Sequence, residues 1–117
     1  MKQEDKELLL KDLCARLPYG LRVNNEIQGD FEIYGICENF VFVRNEICHI
    51  DFDIEKIKLY LFPLSSMTEE QIAQLEFWAF MKEYHKITDF YYENHIDFRG
   101  FIEKSLALDA TNLGIYE

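Results

Sequence analysis

The sequence predicts a single α+β domain over residues 1–117, with an N-terminal helix, an antiparallel sheet of three to five strands and a helical C-terminal half. Three observations predict this class. Apolar residues recur at helical spacing before Pro18, apolar and polar residues alternate between about residues 21 and 53, and a strong helix start follows Pro63. A chain of 117 residues is long enough to bury one hydrophobic core without disulfides or bound metals.

The first helix is predicted from Asp5 to Leu17. It ends there because Pro18 lacks a backbone donor and Gly20 follows closely, a combination that stops helices. The residues that fit helical spacing are Leu8, Leu9, Asp12, Leu13 and Arg16.

The segment that follows is predicted to form short strands joined by turns. The apolar positions of the first strand are Leu21, Val23 and Ile27, and Gln28-Gly29-Asp30 is a turn. On the apolar faces of the later strands we place Phe31, Ile33 and Cys37, then Cys48, Ile50 and Phe52; the opposite faces carry Glu32, Tyr34, Ile36 and Glu38, then His49, Asp51 and Asp53. Residues 40–44 form a short strand between them, and the short connections favour an antiparallel meander.

Residues 53–61 allow two interpretations. Ile54 and Ile57 suit a helical turn, whereas residues 58–62 alternate like a strand. Pro63 ends either structure because it restricts the residue before it to an extended conformation.

The next helix is predicted to start at Thr68. Thr68 and Gln71 form a capping box, and Met67 can pack against Ile72 as a hydrophobic staple. A competing register would use Ser66 and Glu69 but would place Ser65 at the staple position. Thr68 is therefore preferred.

The body of this helix carries two apolar stripes. Ile72, Leu75 and Ala79 fall on one face, and a second stripe holds Phe77, Phe80, Met81 and Tyr84, with Ala73 beside it and Trp78 between the stripes. One interpretation is a central helix covered on two sides, and the other is a helix that offers its second stripe to another subunit. The candidate protein-binding residues are therefore Phe77, Trp78, Phe80, Met81 and Tyr84.

Two further helices are predicted in the C-terminal part. Thr88 is expected to cap a helix that runs through Asn94, and Asp97 to cap another that runs through about Ser105. The tail from Leu106 to Glu117 lacks a helical pattern. It is expected to lie against the domain through Leu108, Leu113 and Tyr116.

Charge is the second informative property. Twelve basic residues against 22 acidic ones give a net charge of −10, which disfavours direct binding of nucleic acid. Residues 24–55 contain eight acidic residues and only one basic residue, Arg44. This block is either an ordinary solvated sheet face or a docking surface that imitates nucleic-acid phosphates. The candidate acidic face consists of Glu32, Glu38, Asp51 and Asp53.

The cysteines and the termini favour a cytoplasmic protein. Cys14, Cys37 and Cys48 are odd in number and lie in apolar segments, so we expect reduced core thiols without disulfides or zinc. No apolar run is long enough to span a membrane, and the first residues lack the apolar core of a signal peptide.

Candidate catalytic and metal-binding residues carry only weak signals. His49, Asp51 and Asp53 would share a strand face, but a metal site needs further ligands from elsewhere. A second candidate is an acid–base cluster of His85, His95, Asp89 and Asp97, but no activated nucleophile accompanies it. Arg99 is expected to pair with an acidic neighbour in preference to holding an anion. We therefore expect no catalytic residues, no cofactor and no metal.

Two runs resemble segments of small uncharacterised proteins from gut Bacteroides-type bacteria and their mobile elements. They are residues 57–70, with Leu61-Phe62-Pro63-Leu64, and residues 94–108, with His95-Ile96-Asp97-Phe98-Arg99-Gly100; together they cover less than half of the chain. Those proteins often have proline where Leu59 stands and arginine where Phe62 stands. The resemblance implies a bacterial or phage origin and supplies no catalytic residues.

Three classes of function are considered. The first is a noncatalytic cytoplasmic domain that binds a protein partner or associates with itself through the second stripe. The alternative is an acidic inhibitor or nucleic-acid mimic, of phage or mobile-element origin, that docks on a basic partner. The least favoured is a small hydrolase or metal-dependent enzyme.

Overall fold

The computed structural model describes residues 1–117 and confirms the α+β class. The helices are α1 (Gln3–Arg16), α2 (Glu69–Phe80) and α3 (Tyr84–Glu93). The strands are β1 (Arg22–Asn25), β2 (Gly29–Cys37), β3 (Phe40–Arg44), β4 (His49–Asp53), β5 (Lys58–Pro63), β6 (Ile96–Asp97) and β7 (Ala107–Asp109). Two predictions are corrected: the sheet has seven strands, and the C-terminal half is only partly helical because β6 and β7 lie there.

The sheet is mixed, with strand order β4-β3-β2-β1-β5-β6 and with β7 also paired to β5. Strands β1 to β4 form the predicted antiparallel meander, and β5 is antiparallel to β1. Strands β6 and β7 run parallel to β5. Parallel pairing needs a long crossover, and the chain from α2 through α3 provides it between β5 and β6. Both interpretations of residues 53–61 hold in part, since a 3-10 turn at Ile54–Lys56 precedes β5.

The core lies between α1 and one face of the sheet. Leu9 and Leu13 of α1 are fully buried, and they belong to one apolar cluster with the inward residues of the strands. The sheet residues of this cluster include Val23, Phe31, Ile33, Val41, Val43, Leu59 and Leu61. Helix α1 therefore forms close to its predicted bounds, because its apolar spacing matches the face that the sheet covers.

A bulge in β2 overturns part of the predicted strand pattern. The pairing of β2 with β3 shifts between Ile33 and Gly35, so that Ile36 lies opposite the buried Val41 and Cys37 lies opposite the exposed Phe40. Because side chains alternate along a strand, one extra residue exchanges the two faces beyond it. Cys37 is therefore exposed and does not share a face with Phe31.

The predicted burial of the cysteines is wrong for two of the three. Cys14 is exposed because the buried positions of α1 are Leu9, Asp12, Leu13 and Arg16, and residue 14 falls beside that stripe. Cys48 is half-buried and packs against the core.

The start of α2 is confirmed, but its end comes earlier than predicted. Thr68 accepts from the backbone N–H of Gln71 at 3.1 Å, and the Gln71 side chain accepts from the Thr68 N–H at 2.9 Å. Helix α2 ends at Phe80, because Lys82 adopts a left-handed φ of 59°. The N–H groups of Lys82 and Glu83 donate to the carbonyls of Ala79 and Trp78, the pattern of a Schellman motif. Tyr84 therefore starts α3.

The predictions for the two last helices are corrected as well. Helix α3 begins at Tyr84, so Thr88 lies inside it and its hydroxyl donates to the Tyr84 carbonyl. Asp97 caps a turn and no helix follows: its carboxylate accepts from the N–H groups of Phe101 and Ile102, while Gly100 has a φ of 77°. A left-handed residue at that position cannot continue a right-handed helix.

Removing the cap should loosen α2 locally. Thr68→Ala leaves the Gln71 N–H in the first turn without its acceptor, at a cost of about 1 kcal/mol, so amide exchange within α2 should accelerate about fivefold. Ser65→Ala is the matched control, because Ser65 is exposed and lies outside the capping box. Equal exchange rates in the two variants, measured by mass spectrometry, would contradict this prediction.

Candidate functional site

Helix α2 lies at the outside of the molecule. Its main contacts are with α3, where the Trp78 ring meets Phe90 edge to face at 6.2 Å. Leu75 is its one buried residue, at 8% exposed. The radius of gyration is 14.6 Å, whereas a compact chain of this length has about 13.4 Å. Both observations are consistent with a helical hairpin that stands out from the sheet. The expected central helix, covered on two sides, is therefore wrong.

The second stripe forms an exposed surface at the α2–α3 turn, which we call the apolar patch. It consists of Phe77, Phe80, Met81 and Tyr84, whose exposed fractions are 55%, 82%, 53% and 60%. At about 200 Å² per side chain, the patch presents on the order of 500 Å² to solvent, near the upper end for a monomer. Trp78, the fifth predicted residue, faces α3 instead.

Before the patch, the outward face of α2 carries two acidic residues and then a small residue. Ala73, Phe77 and Phe80 are spaced by four and three residues, so they lie on one side of the helix, and all three are exposed. Glu69 and Glu70 continue this side toward the N-terminus. Between residues 77 and 90, two lysines balance two acidic residues, although the whole chain carries −10. The segment from residue 77 to residue 90 is therefore neutral, whereas Glu69, Glu70 and Glu76 earlier in α2 have no basic residue of that helix beside them.

The predicted acidic residues lie on the outer face of the sheet but do not form a continuous acidic surface. Glu32 stands between Arg22 and Arg44 in the cross-strand register, and its carboxylate lies 3.6 Å from the Arg44 guanidinium. The Asp53 carboxylate accepts from the Glu55 N–H at 2.9 Å. Asp51 lies opposite Phe42. Charges of both signs and aromatic rings therefore share this face.

Glu38 occupies a different part of that face. It lies in the two-residue turn between β2 and β3 with a left-handed φ of 53°. Glu32 is separated from this turn by four residues of β3, which is about 13 Å along the strand. The four residues of the candidate acidic face are thus spread over the length of the hairpin.

His49, Asp51 and Asp53 do alternate along β4, as predicted. The His49 ring packs edge to face against Tyr34 at 5.6 Å, and His49 pairs across the strands with Arg44. A guanidinium in this position disfavours a second cation. No three histidine, cysteine, aspartate or glutamate side chains of the chain approach one another closely enough to hold a metal ion.

The four residues considered as an acid–base cluster are separated. His95 and Asp97 are buried, with His95 at 8% exposed, whereas His85 and Asp89 are exposed on α3. The His95 ring stacks on Tyr116 with centroids 3.8 Å apart. Burial, aided by the Arg16 guanidinium, lowers the pKa of His95 to about 4, so this imidazole is neutral at physiological pH.

A polar recess under the C-terminal tail was not predicted. It has a volume of about 350 Å³ and is lined by Tyr19, Gly20, Arg22, Glu32, His95, Ile115, Tyr116 and Glu117. The Tyr116 hydroxyl accepts from the Arg22 N–H at 3.0 Å and donates to the Tyr60 carbonyl at 2.7 Å. Burial raises the pKa of Tyr116 above its usual value. Arg22 Nε and His95 Nδ1 are buried without a hydrogen-bond partner.

A buried ion cluster joins α1 to the segment around β6. The Asp12 carboxylate, which is fully buried, lies 2.6 Å from Arg16 Nε and 3.0 Å from Arg99 Nε. The prediction that Arg99 pairs with an acidic neighbour is confirmed. The i,i+4 spacing is a local signal for the Asp12–Arg16 pair, whereas Arg99 lies 87 residues away and no local pattern connects it to Asp12.

No protein-family model matches the chain, and neither a curated protein nor a solved structure shows significant similarity to it. None of the helices is long and apolar enough to cross a lipid bilayer. The resemblance to small Bacteroides-type proteins stays a prediction.

Proposed function

We propose that this chain is a noncatalytic, cytoplasmic protein-binding domain and that it binds through the apolar patch. The observation that carries this proposal is the exposure of Phe77, Phe80, Met81 and Tyr84, each more than half open to solvent on one hairpin. Contiguous exposed apolar surface of this size marks interaction sites on soluble proteins. Large aromatic side chains are also the residues that dominate binding energy at protein interfaces.

The area of the patch limits the affinity that it can provide for a partner. Burying on the order of 500 Å² of apolar surface gains about 12 kcal/mol before costs, and association costs about 4–15 kcal/mol. The patch alone therefore supports weak binding. A tighter complex must also cover neighbouring surface, and the exposed Ala73 is next to the patch on α2.

The acidic-mimic alternative has less support. A phosphate mimic requires carboxylates that face the partner, whereas Glu32 lies between two arginines and Asp53 accepts a backbone hydrogen bond. The two proposals differ in salt dependence, because attraction between exposed charges is screened over about 10 Å at 0.1 M salt. Binding through the patch should survive such salt.

The proposal is tested by matched serine substitutions. Phe80→Ser should weaken partner binding at least tenfold, because it removes a large apolar contact from the centre of the patch. Phe40→Ser is the control, since Phe40 is 44% exposed but lies on the sheet. Proteins captured from the native host by wild type and by the control, but not by Phe80→Ser, are identified by mass spectrometry and their affinities measured by calorimetry.

The opposite pattern would favour the alternative. A partner that Phe80→Ser still binds, but that a variant with Glu32, Glu38, Asp51 and Asp53 changed to amides loses, would overturn the patch proposal. If that amide variant binds the partner with unchanged affinity, the nucleic-acid-mimic hypothesis is wrong.

A further inference from the structure

We infer that the partner of the apolar patch is a second copy of this chain, docked antiparallel along α2. This inference rests on the proposed function, since it uses the same surface. A two-fold axis brings identical patches together with the two helices running in opposite directions. The beginning of the outward face of α2 in one copy must therefore fit the end of the same face in the other copy.

The order of side chains along α2 meets this requirement. From its start toward its end, the outward face carries two glutamates, then the small Ala73, then the large Phe77 and Phe80. When two such helices pair antiparallel with Phe77 near the axis, Phe80 of each copy lies over Ala73 of the other. A large ring then fills the gap left by a small residue, as knobs fill holes between packed helices.

The charges fit the same arrangement. Glu70 of one copy falls near the α2–α3 turn of the other, where Lys82 is exposed and Glu83 is paired with Lys86 at 3.2 Å. Two chains of charge −10 repel each other, and contact through α2 does not involve the acidic block of residues 24–55.

The buried area fits a reversible dimer. On the order of 500 Å² from each copy gives about 1,000 Å² in total, which lies at the lower limit for specific interfaces. We therefore expect dissociation constants on the order of 1–100 μM.

Sedimentation equilibrium of the full chain, from about 1 μM to about 500 μM, should show a monomer–dimer equilibrium in the wild-type protein. Ala73→Arg should weaken the dimer at least tenfold, because an arginine fills the space that receives Phe80. Ala79→Arg is the matched control: it makes the same change at another exposed alanine of α2, about 120° around the helix. It should leave the dimer constant within about twofold.

Two results would overturn the inference. One is a wild-type protein that stays monomeric throughout this range, and the other is equal weakening by Ala73→Arg and Ala79→Arg. The failure of self-association is distinguishable from failure of the proposed function. A monomeric protein that loses a captured partner upon Phe80→Ser still binds through the patch, whereas a monomer whose partners are unaffected does not.

Discussion

Replacing Asp12 with asparagine is expected to lower the free energy of unfolding by about 3–5 kcal/mol, the cost of breaking a buried ion pair from one side. Asp12 is fully buried and its two carboxylate oxygens face the guanidinium groups of Arg16 and Arg99. Arg16 is itself fully buried. Loss of the carboxylate leaves one buried and one partly buried cation without compensation, and total stability is only about 5–15 kcal/mol.

Asp5→Asn is the control for this measurement. Asp5 lies on the same helix and pairs with Lys104 at 3.2 Å, but the Lys104 side chain is 46% exposed, so its loss should cost under about 1 kcal/mol. Urea denaturation followed by circular dichroism compares the two variants with wild type. If Asp12→Asn unfolds within about 1 kcal/mol of Asp5→Asn, the cluster does not hold the fold together as argued.

The Asp12 cluster connects distant parts of the chain. Arg16 donates to the Ile96 carbonyl at 2.8 Å, and its guanidinium lies 5.3 Å from the centroid of the Tyr92 ring. Helix α1 is thereby fastened to the end of α3 and to β6. The variant should therefore disturb the N-terminal and C-terminal segments together, although they are about 80 residues apart.

Local signals in the sequence predicted the local structure. The spacing of Leu9 and Leu13 predicted α1, and the Thr68–Gln71 capping box predicted the start of α2. The meander followed from short turns between alternating segments. In each case the residues that determine the structure lie within a few positions of one another, so no distant contact is needed.

Features that depend on distant contacts were missed. Strands β6 and β7 are two and three residues long, and they exist because β5 offers them hydrogen-bond partners some 34 to 48 positions away in the chain. The bulge at Gly35 depends on how β2 fits against β3. Neither feature follows from local residue propensity, because the stability of a strand depends on the strands beside it.

The candidate site was predicted in composition but not in orientation. An excess of apolar residues on α2 indicated a second apolar surface, yet periodicity cannot say which side faces the protein. Helix α2 buries Leu75 and exposes Phe77 and Phe80, because α3 covers only one side of it. The surroundings of Glu32 were missed for a related reason: Arg22 lies outside the acidic block in the sequence but next to Glu32 across the sheet.

The second large effect expected is a loss of stability in mild acid that depends on His95. Its pKa is lowered to about 4 by burial and by Arg16, against about 6.5 in the unfolded chain, so the folded state binds this proton more weakly. The contribution is fully present above pH 6.5 and is lost as the pH falls from about 6.5 toward 4. Because the unfolded chain takes up this proton first, the free energy of unfolding should fall by about 2–3 kcal/mol by pH 4.5.

His95→Asn isolates this contribution. Asparagine does not titrate and tolerates the left-handed φ of 58° at position 95, although it loses the stack on Tyr116. The variant should be less stable than wild type at pH 7, but the difference should shrink by about 2–3 kcal/mol between pH 7 and pH 4.5. His85→Asn, at an exposed position on α3, should keep the wild-type pH dependence. The free energy of unfolding is measured by urea denaturation at each pH. If it changes equally with pH in wild type and in His95→Asn, the prediction is wrong, and the buried imidazole accepts its proton without disturbing the fold.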